Sequence, residues 1–254
     1  MQVFCEQADF AQLTALVTAH KLPLDLQWHA PLDKKSLVYK LQCTPSCQAL
    51  MLNDTTLSLV SCFDNFIKVT PAWQKLQRRV VSAGRKSELL LQAIKPDNAC
   101  QVLDGTAGFG YDSLLLASTG AKVVALERDP ILALLLLYEY QMMARLVNWQ
   151  GLLSRLTIIY GDFLRYEMSA DVIYLDPMFP KASYDAKVSK TMQALHQFVA
   201  PPNNVEEETL LAHADKLRTP NGKVVIKRPI NAPFLANIPP VISVANNTVR
   251  FDRY

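Results

Sequence analysis

The fold is decided by the stretch Val102-Leu-Asp-Gly-Thr-Ala-Gly-Phe-Gly-Tyr-Asp112. A short apolar run ends at the carboxylate of Asp104, a glycine-bearing loop follows, and a helical pattern begins near Ser113. Glycine lets the backbone turn tightly and lets a ligand approach closely, while the N-terminus of a helix presents unpaired N–H donors. The pattern predicts a strand, a ligand-binding loop and a helix, although a purely structural turn between a strand and a helix gives the same pattern.

The order of the glycines separates this loop from a dinucleotide-binding loop. A dinucleotide fingerprint reads G-x-G-x-x-G, and its backbone amides face a pyrophosphate. Here the spacing is reversed, with Gly105, Gly108 and Gly110, and an acid ends the strand before the loop. An acid at that place suits a cation. The arrangement resembles motif I of class I methyltransferases, whose ligand S-adenosylmethionine (SAM) carries an ammonium and a sulfonium but no phosphate.

Composition is that of an ordinary globular protein. The chain has 254 residues, of which 50% are apolar, so it can hold a large domain with or without a small one. The net charge of +3 permits an RNA partner without requiring one. The odd number of cysteines, five, and the lack of a secretory pattern favour reduced thiols in the cytoplasm. Cys43 and Cys47 lie four apart, but no second Cys/His pair follows, so we expect no metal.

One apolar run, residues 131–138, needs comparison with a membrane span. Glu139 interrupts it and Arg145 follows, so the run is much shorter than the roughly 20 residues that a span needs. We therefore predict a buried helix and no membrane partner.

Residues 1–70 are predicted to form a small α+β domain. Residues 8–20 have helical spacing, and residues 36–41 and 56–60 alternate like short strands. Residues 68–86 form a basic connector around Trp73. Its cations are either a solvated helical face or a flank that binds nucleic-acid phosphates: Lys68, Lys75, Arg78, Arg79, Arg85 and Lys86.

Residues 71–254 are predicted to form the methyltransferase domain. Apolar strand patterns at 101–104, 122–126, 156–160, 171–175 and 223–226 alternate with helical patterns at 87–94, 130–147 and 205–216. Alternation of this kind predicts a parallel sheet with helices on both faces. Residues 241–244 and 248–251 are predicted to form a closing hairpin that adds an antiparallel seventh strand. The expected fold class is α/β, a Rossmann-like mixed seven-stranded sheet.

Carboxylates end four consecutive strands of this sheet. Ligands of such sheets bind outside the carboxyl ends of the strands, so these side chains should meet. After Asp104, Glu127 ends the second strand and is placed to accept both ribose hydroxyls, although it could be an exposed acid at a strand–helix junction. Asp162 is placed to accept the adenine amino group, and Phe163 to pack on the ring. Asp176 ends the fourth strand.

The tetrapeptide Asp176-Pro-Met-Phe179 is the most informative of these strand ends. It resembles the Asn/Asp/Ser-Pro-Pro-aromatic motif of amino-directed methyltransferases, with Met178 in place of the second proline. Asp176 and the Pro177 carbonyl can accept the two protons of an exocyclic amine and aim its lone pair at a methyl group. Phe179 offers a face on which a base can stack. The alternative is a plain proline turn with a packed aromatic ring.

Five motifs narrow the resemblance to one family. They are residues 104–112, Leu126-Glu-Arg-Asp-Pro130, Tyr174-Leu-Asp-Pro-Met-Phe-Pro180, Val225-Ile-Lys-Arg-Pro229 and Arg250-Phe-Asp-Arg-Tyr254. They resemble the RsmJ family of bacterial 16S ribosomal RNA guanine-N2 methyltransferases over about two thirds of the chain. The resemblance implies methyl transfer from SAM to N2 of a guanine, with 16S RNA or the 30S subunit as partner.

Site residues follow from the motifs and the resemblance together. The expected catalytic residues are Asp176, Pro177 and Phe179. The expected cofactor contacts are Asp104, Gly108, Gly110, Tyr111, Asp112, Glu127, Arg128, Asp162, Phe163 and Asp176. The expected RNA contacts are Lys181, Lys187, Lys227 and Arg228, which follow the catalytic loop or end the fifth strand. Two other function classes stay open: an amino-directed enzyme acting on another RNA, DNA adenine or a protein, and a non-catalytic SAM-binding protein.

Overall fold

The computed structural model describes residues 1–63, 65–84, 86–96, 100–179 and 202–254, and contains two β-sheets. The first sheet has the strand order β2-β1-β3-β4-β5. Its strands are β1 Gln2–Phe4, β2 Gln27–His29, β3 Gln48–Asn53, β4 Thr56–Ser61 and β5 Ile67–Val69, and helices α1 Gln7–Ala19 and α2 Lys34–Gln42 accompany it. Strand β1 runs parallel to β2 and β3, whereas β4 runs antiparallel to β3 and β5.

Helix α2 corrects the prediction of a strand at residues 36–41. The Asp33 carboxylate accepts hydrogen bonds from the backbone N–H groups of Lys35 and Ser36 and so caps the helix. Leu37 and Leu41, four residues apart, both face the interior, with 1% and 0% of their surfaces exposed. The helix at residues 8–20 and the strand at 56–60 were predicted correctly.

The second sheet has the order β11-β12-β10-β9-β6-β7-β8. Its strands are β6 Gln101–Asp104, β7 Lys122–Glu127, β8 Leu156–Tyr160, β9 Ala170–Leu175, β10 Arg218–Pro229, β11 Ile242–Ala245 and β12 Val249–Arg253. The helices that follow the first sheet are α3 Trp73–Ser82, α4 Leu89–Ile94, α5 Tyr111–Ser118, α6 Pro130–Ala144, α7 Val147–Leu153 and α8 Asn204–Leu217.

Strand directions confirm the predicted mixed seven-stranded sheet. Strands β8, β7, β6, β9 and β10 are parallel, β12 runs antiparallel to β10, and β11 runs antiparallel to β12. The carboxyl ends of the five parallel strands therefore meet at one edge. The helix predicted at 130–147 ends at Ala144, and a separate helix, α7, begins at Val147.

Helix α6 is buried between the two sheets, as its apolar run predicted. Asp129 caps it by accepting from the N–H groups of Ile131 and Leu132. Leu134 of α6 shares one apolar core with Leu59 of the first sheet, so packing is continuous across the predicted boundary at residue 70. Among the described residues, no helix combines the length and the apolar character that crossing a bilayer would need.

Candidate active site

A cavity of about 810 Å³ lies at the edge where the parallel strands end. The loop after β6, the start of α5 and the ends of β7, β8, β9 and β10 line it. All the residues predicted as cofactor contacts line this cavity except Gly110: Asp104, Gly108, Tyr111, Asp112, Glu127, Arg128, Asp162, Phe163 and Asp176. The carboxylates that end four strands therefore share one cavity.

The two glycines of the loop, Gly108 and Gly110, do different things. Both have positive φ, +55° at Gly108 and +72° at Gly110, which L side chains rarely adopt. A Cβ on Gly108 would meet nothing within 4 Å, so this backbone faces open space. A Cβ on Gly110 would lie 2.8 Å from Leu136 and 3.0 Å from Trp73. Gly110 therefore packs against the core, and its predicted contact with the cofactor is not supported.

Glu127 holds the loop and retains the capacity to bind a diol. Its two oxygens accept hydrogen bonds, each of 2.8 Å, from the backbone N–H groups of Gly108 and Asp129. Only 7% of the residue is exposed, and burial raises the pKa of its carboxyl to about 7. A carboxylate oxygen has more than one acceptor site, so both oxygens can still accept hydrogen bonds from the hydroxyls of a ligand.

Asp104, at the end of β6, holds the loop that follows this strand. It is 1% exposed and accepts hydrogen bonds from the Thr106 backbone N–H and the Ser113 hydroxyl. Burial raises the pKa of the Asp104 carboxyl to about 7. The Thr106 hydroxyl in turn accepts a 2.6 Å hydrogen bond from the backbone N–H of Asp176. This chain of contacts ties the loop after β6 to the tetrapeptide after β9.

Asp162 and Phe163 form the cavity wall at the end of β8. Asp162 caps a short 3₁₀ turn by accepting a 3.1 Å hydrogen bond from the Leu164 N–H through one oxygen. Its second carboxylate oxygen gives the residue further acceptor capacity. Phe163 is 3% exposed and packs so closely under Gly105 that a Cβ there would lie 2.5 Å from the ring. The predicted contact of Phe163 with an adenine remains a prediction.

An ion-pair network crosses the cavity between α5, β9 and β10. The Lys227 ammonium lies 3.0 Å from Asp112 Oδ2 and 2.8 Å from Asp176 Oδ2, and the Tyr174 hydroxyl donates to the same Asp112 oxygen at 2.6 Å. Burial opposes ionisation of both acids. For Asp112, the Lys227 charge and the Tyr174 hydrogen bond prevail and lower its pKa. For Asp176, burial and the neighbouring Asp112 charge prevail and raise its pKa.

Arg228 is not the RNA contact that the sequence predicted. It is 2% exposed, and its guanidinium donates to Glu207 at 2.8 Å and to the Pro233 carbonyl at 3.0 Å. The same group lies 4.9 Å from the centre of the Phe179 ring. A buried guanidinium with these partners cannot reach a phosphate. Arg228 therefore supports the Phe179 wall of the cavity.

The three predicted RNA contacts Lys227, Lys181 and Lys187 do not share one position in the structure. Lys227 lines the cavity interior in its ion pairs instead of standing on the outer rim. Lys181 and Lys187 lie outside the described residues.

The tetrapeptide predicted to be catalytic lines the cavity. Asp176, Pro177, Met178 and Phe179 all contribute to its wall. The Phe179 side chain is largely covered, since only 3% of the residue is exposed. Its role as a stacking surface for a base stays a prediction.

Trp73 is a core residue, although the sequence placed it within a basic connector that could bind nucleic acid. The residue is fully buried. Its indole N–H donates a 2.7 Å hydrogen bond to the Phe109 carbonyl, and its backbone N–H donates a 2.9 Å hydrogen bond to Glu139. Burial raises the pKa of the Glu139 carboxyl to about 7. Sequence reasoning took Glu139 only as an interruption of an apolar run, yet it anchors the start of α3.

The cations of α3 remain at the surface beside the cavity. Lys75 and Arg78 are exposed. Arg79 lines the cavity with Glu88, to which it donates two hydrogen bonds of 2.8 and 2.7 Å. The basic face of α3 therefore borders the cavity through Arg79.

The chemistry of the cavity lining fits SAM. Acidic groups end the strands around it, and the open space at Gly108 lets a ligand approach the backbone. The five cysteines, all within the described residues, form no disulfide. Within the described ranges, no group of three or more His, Cys, Asp or Glu side chains is arranged to hold a metal ion.

Comparisons with known proteins agree with this geometry. Residues 34–254 match the protein family described as "Putative SAM-dependent methyltransferase". The chain is 47% identical over 266 residues to the ribosomal RNA small subunit methyltransferase J of Psychrobacter arcticus, covering 95% of this chain and 90% of that protein. It is 32% identical over 266 residues to the protein of the same name from Acinetobacter baumannii strain SDF, covering 99% and 91%.

A solved structure shares the whole fold. The crystal structure of a SAM-dependent methyltransferase from Neisseria gonorrhoeae superposes with a TM-score of 0.73 at 24% identity, covering 100% of this chain and 95% of that one. This likeness confirms the predicted fold class. The chain therefore belongs to the family of SAM-dependent methyltransferases that includes the ribosomal RNA small subunit methyltransferases J.

Proposed function

We propose that this protein transfers a methyl group from SAM to the exocyclic N2 of a guanine in 16S ribosomal RNA. The observation that carries the proposal is the position of Asp176. Its carboxylate and the Asp176-Pro-Met-Phe179 tetrapeptide line the same cavity as the loop after β6, to which the Asp176 N–H is bonded through Thr106. Relatives at 47% and 32% identity carry the name ribosomal RNA small subunit methyltransferase J.

Orientation of the amine is the work assigned to the tetrapeptide. The lone pair of an exocyclic amine is delocalised into the base, which makes the nitrogen a poor nucleophile. Asp176 and the Pro177 carbonyl accept the two amine protons, which favours a tetrahedral nitrogen and directs its lone pair across the cavity. Proline lacks an N–H and fixes φ, so the turn leaves its carbonyl available. SAM, when bound, supplies the electrophilic methyl group.

Recognition of the donor is assigned to the acids at the other strand ends. Glu127 accepts the ribose hydroxyls, since both of its oxygens are already held in place by backbone N–H groups. Asp162 accepts the adenine amino group beside its capping hydrogen bond. Gly108 provides the close backbone approach.

Contact with RNA is assigned to the basic face of α3. Lys75 and Arg78 are exposed there, and Arg79 of the same helix lines the cavity. Lysine and arginine that neutralise phosphates supply most of the sequence-independent affinity for nucleic acid. A guanine amine inside a stem is not accessible, so the base must leave its stack to enter the cavity. We also propose a cytoplasmic location, which the reduced state of the five cysteines supports.

The test uses small-subunit RNA that lacks the modification. Free 16S RNA and 30S particles, both purified from a strain deleted for this gene, are incubated with the protein and methyl-labelled SAM. The RNA is digested, and its nucleosides are identified by mass spectrometry. The expected product is N2-methylguanosine in at least one of the two substrates.

The Asp176→Ala variant, which removes the acceptor, is the control, and its titration with S-adenosylhomocysteine (SAH) shows whether the cofactor cavity persists. It should lose methyl transfer by a factor of about 100 or more, the usual cost of losing one positioned charge-stabilising group. Label on adenine, DNA or protein would replace the proposal with the second function class. If the wild-type protein binds SAH but transfers no methyl group to any of these, it belongs to the third class, the non-catalytic SAM-binding proteins.

A further inference from the structure

Lys227 is the cation at the centre of the cavity. Its ammonium bridges Asp112 of α5 and Asp176 at the end of β9, at 3.0 and 2.8 Å. The Lys227 side chain is 26% exposed, and the side chains of Asp112 and Asp176 are 19% and 23% exposed. The bridge is therefore largely shielded from water. An ion pair in such a place is stronger than one at the surface, because the effective dielectric constant is lower.

The charges around Asp176 explain why such a cation is needed. Asp112 faces it from α5, Asp104 from β6 and the Tyr174 hydroxyl from β9, while Lys227 comes from β10. The charge of Arg79 on α3 favours the ionised form of Asp112, and Arg79 itself donates hydrogen bonds to Glu88. Three acids in one largely buried site repel each other. Without a nearby cation, this repulsion favours protonation of one of the carboxylates.

We propose that Lys227 is a positioning residue for methyl transfer: its ammonium keeps Asp176 ionised and holds Oδ2, so that the other carboxylate oxygen accepts the substrate amine. The inference rests on the proposed function, since it assigns Asp176 the same role. A protonated Asp176 would donate where the amine also donates, and the amine would lose its acceptor. The Lys227 charge opposes that state, because it lowers the pKa of Asp176 against the burial and the Asp112 charge that raise it.

The experiment measures the pH dependence of a single turnover. Wild-type protein and the variants Lys227→Met and Lys227→Arg are saturated with SAM and mixed with unmodified 16S RNA or 30S particles between pH 5.5 and 9. Lys223→Met is the matched control, because Lys223 lies on the same strand but bonds the Ile94 carbonyl instead of lining the cavity. SAH affinity is measured for each protein at each pH.

The expected result is a shift of the acid limb. Asp176 must be ionised to work, so the rate rises with pH through its pKa, and loss of an adjacent opposite charge raises that pKa by about 1–3 units. The acid limb of Lys227→Met should move upward by that amount, and its rate should recover at high pH. Lys227→Arg should keep the wild-type limb within about half a unit, since it keeps the charge. Lys223→Met should also keep the wild-type limb.

Other results would overturn the inference. A Lys227→Met rate that falls equally at every pH contradicts it, as does weakened SAH affinity with an unmoved limb, which would make Lys227 a cofactor ligand. If Lys227→Met does not fold, Lys227→Gln is measured in its place with the same expectation. Failure of the proposed function itself looks different, because wild-type protein would then methylate no guanine at any pH.

Discussion

Gly110→Ala should destabilise the protein by about 2–5 kcal/mol. At φ +72° an alanine costs about 1–2 kcal/mol in backbone strain. Its Cβ would also lie 2.8 Å from Leu136 Cδ1 and 3.0 Å from Trp73 Cζ2. Trp73 cannot move aside easily, because it is fully buried and both of its N–H groups donate hydrogen bonds. Overpacking of this kind costs about 1–3 kcal/mol more.

Gly108→Ala is the informative comparison. Its φ of +55° gives similar backbone strain, about 1–2 kcal/mol, but its Cβ would meet nothing within 4 Å. The added methyl group enters the open space of the cavity, so SAH affinity should fall more than stability does. Gly151→Ala, inside α7 and with nothing within 4 Å, should be neutral or stabilising by up to about 1 kcal/mol.

The assay is equilibrium unfolding in urea together with titration of SAH. The free energy of unfolding is expected to be highest for Gly151→Ala, lower for Gly108→Ala and lowest for Gly110→Ala. Equal losses of stability at Gly108 and Gly110, to within about 0.5 kcal/mol, would show that contact with Trp73 adds nothing and would refute the reasoning. A loss at Gly151 as large as that at Gly110 would show general intolerance of substitution.

Three further predictions concern charge. Burial raises the pKa of the Glu139 carboxyl to about 7, so folding is coupled to uptake of a proton there, and the contribution of this carboxyl to wild-type stability declines as pH rises from about 4.5 to 7. The stability of Glu139→Gln relative to wild type should therefore increase between pH 5 and pH 8, by on the order of 1–3 kcal/mol in urea unfolding; an unchanged difference contradicts this. Arg228→Met should cost about 3–5 kcal/mol of stability, because it leaves the largely covered Glu207 carboxylate without its ion-pair partner, and should leave the salt dependence of RNA binding unchanged. Changing Lys75 and Arg78 together to glutamine should reduce the magnitude of that salt slope by about 2 without altering SAH affinity; an unchanged slope would remove α3 from the RNA path.

Strand ends were predictable because their signal is local. The runs that became β6 and β8 were identified to the residue, and the acids after the strands did meet at one cavity. Parallel strands separated by helices bring their carboxyl ends together whatever the details of packing. Residues far apart in sequence, such as Asp104 and Asp176, could therefore be placed in one site without knowledge of a single contact.

Contacts that depend on tertiary packing were not predictable in this way. Residues 36–41 alternate in polarity as a strand would, but the Asp33 cap and the burial of Leu37 and Leu41 on one face favour a helix. Trp73 lies among cations in the sequence, and only the partners it finds in Phe109 and Glu139 make it a core residue. Local patterns do not specify such partners.

The pair Lys227-Arg228 shows how one rule of geometry separates two like residues. Side chains alternate between the faces of a strand. Lys227 falls on the α5 face of β10, where it meets Asp112 and Asp176 in the cavity. Arg228 falls on the α8 face, where it meets Glu207. Both residues lie near the carboxyl end of the same strand, but Lys227 pairs with Asp176, the acid proposed to hold the amine, whereas Arg228 supports the cavity wall at Phe179. A charge-reversing change at either position would therefore disable the site for a different physical reason.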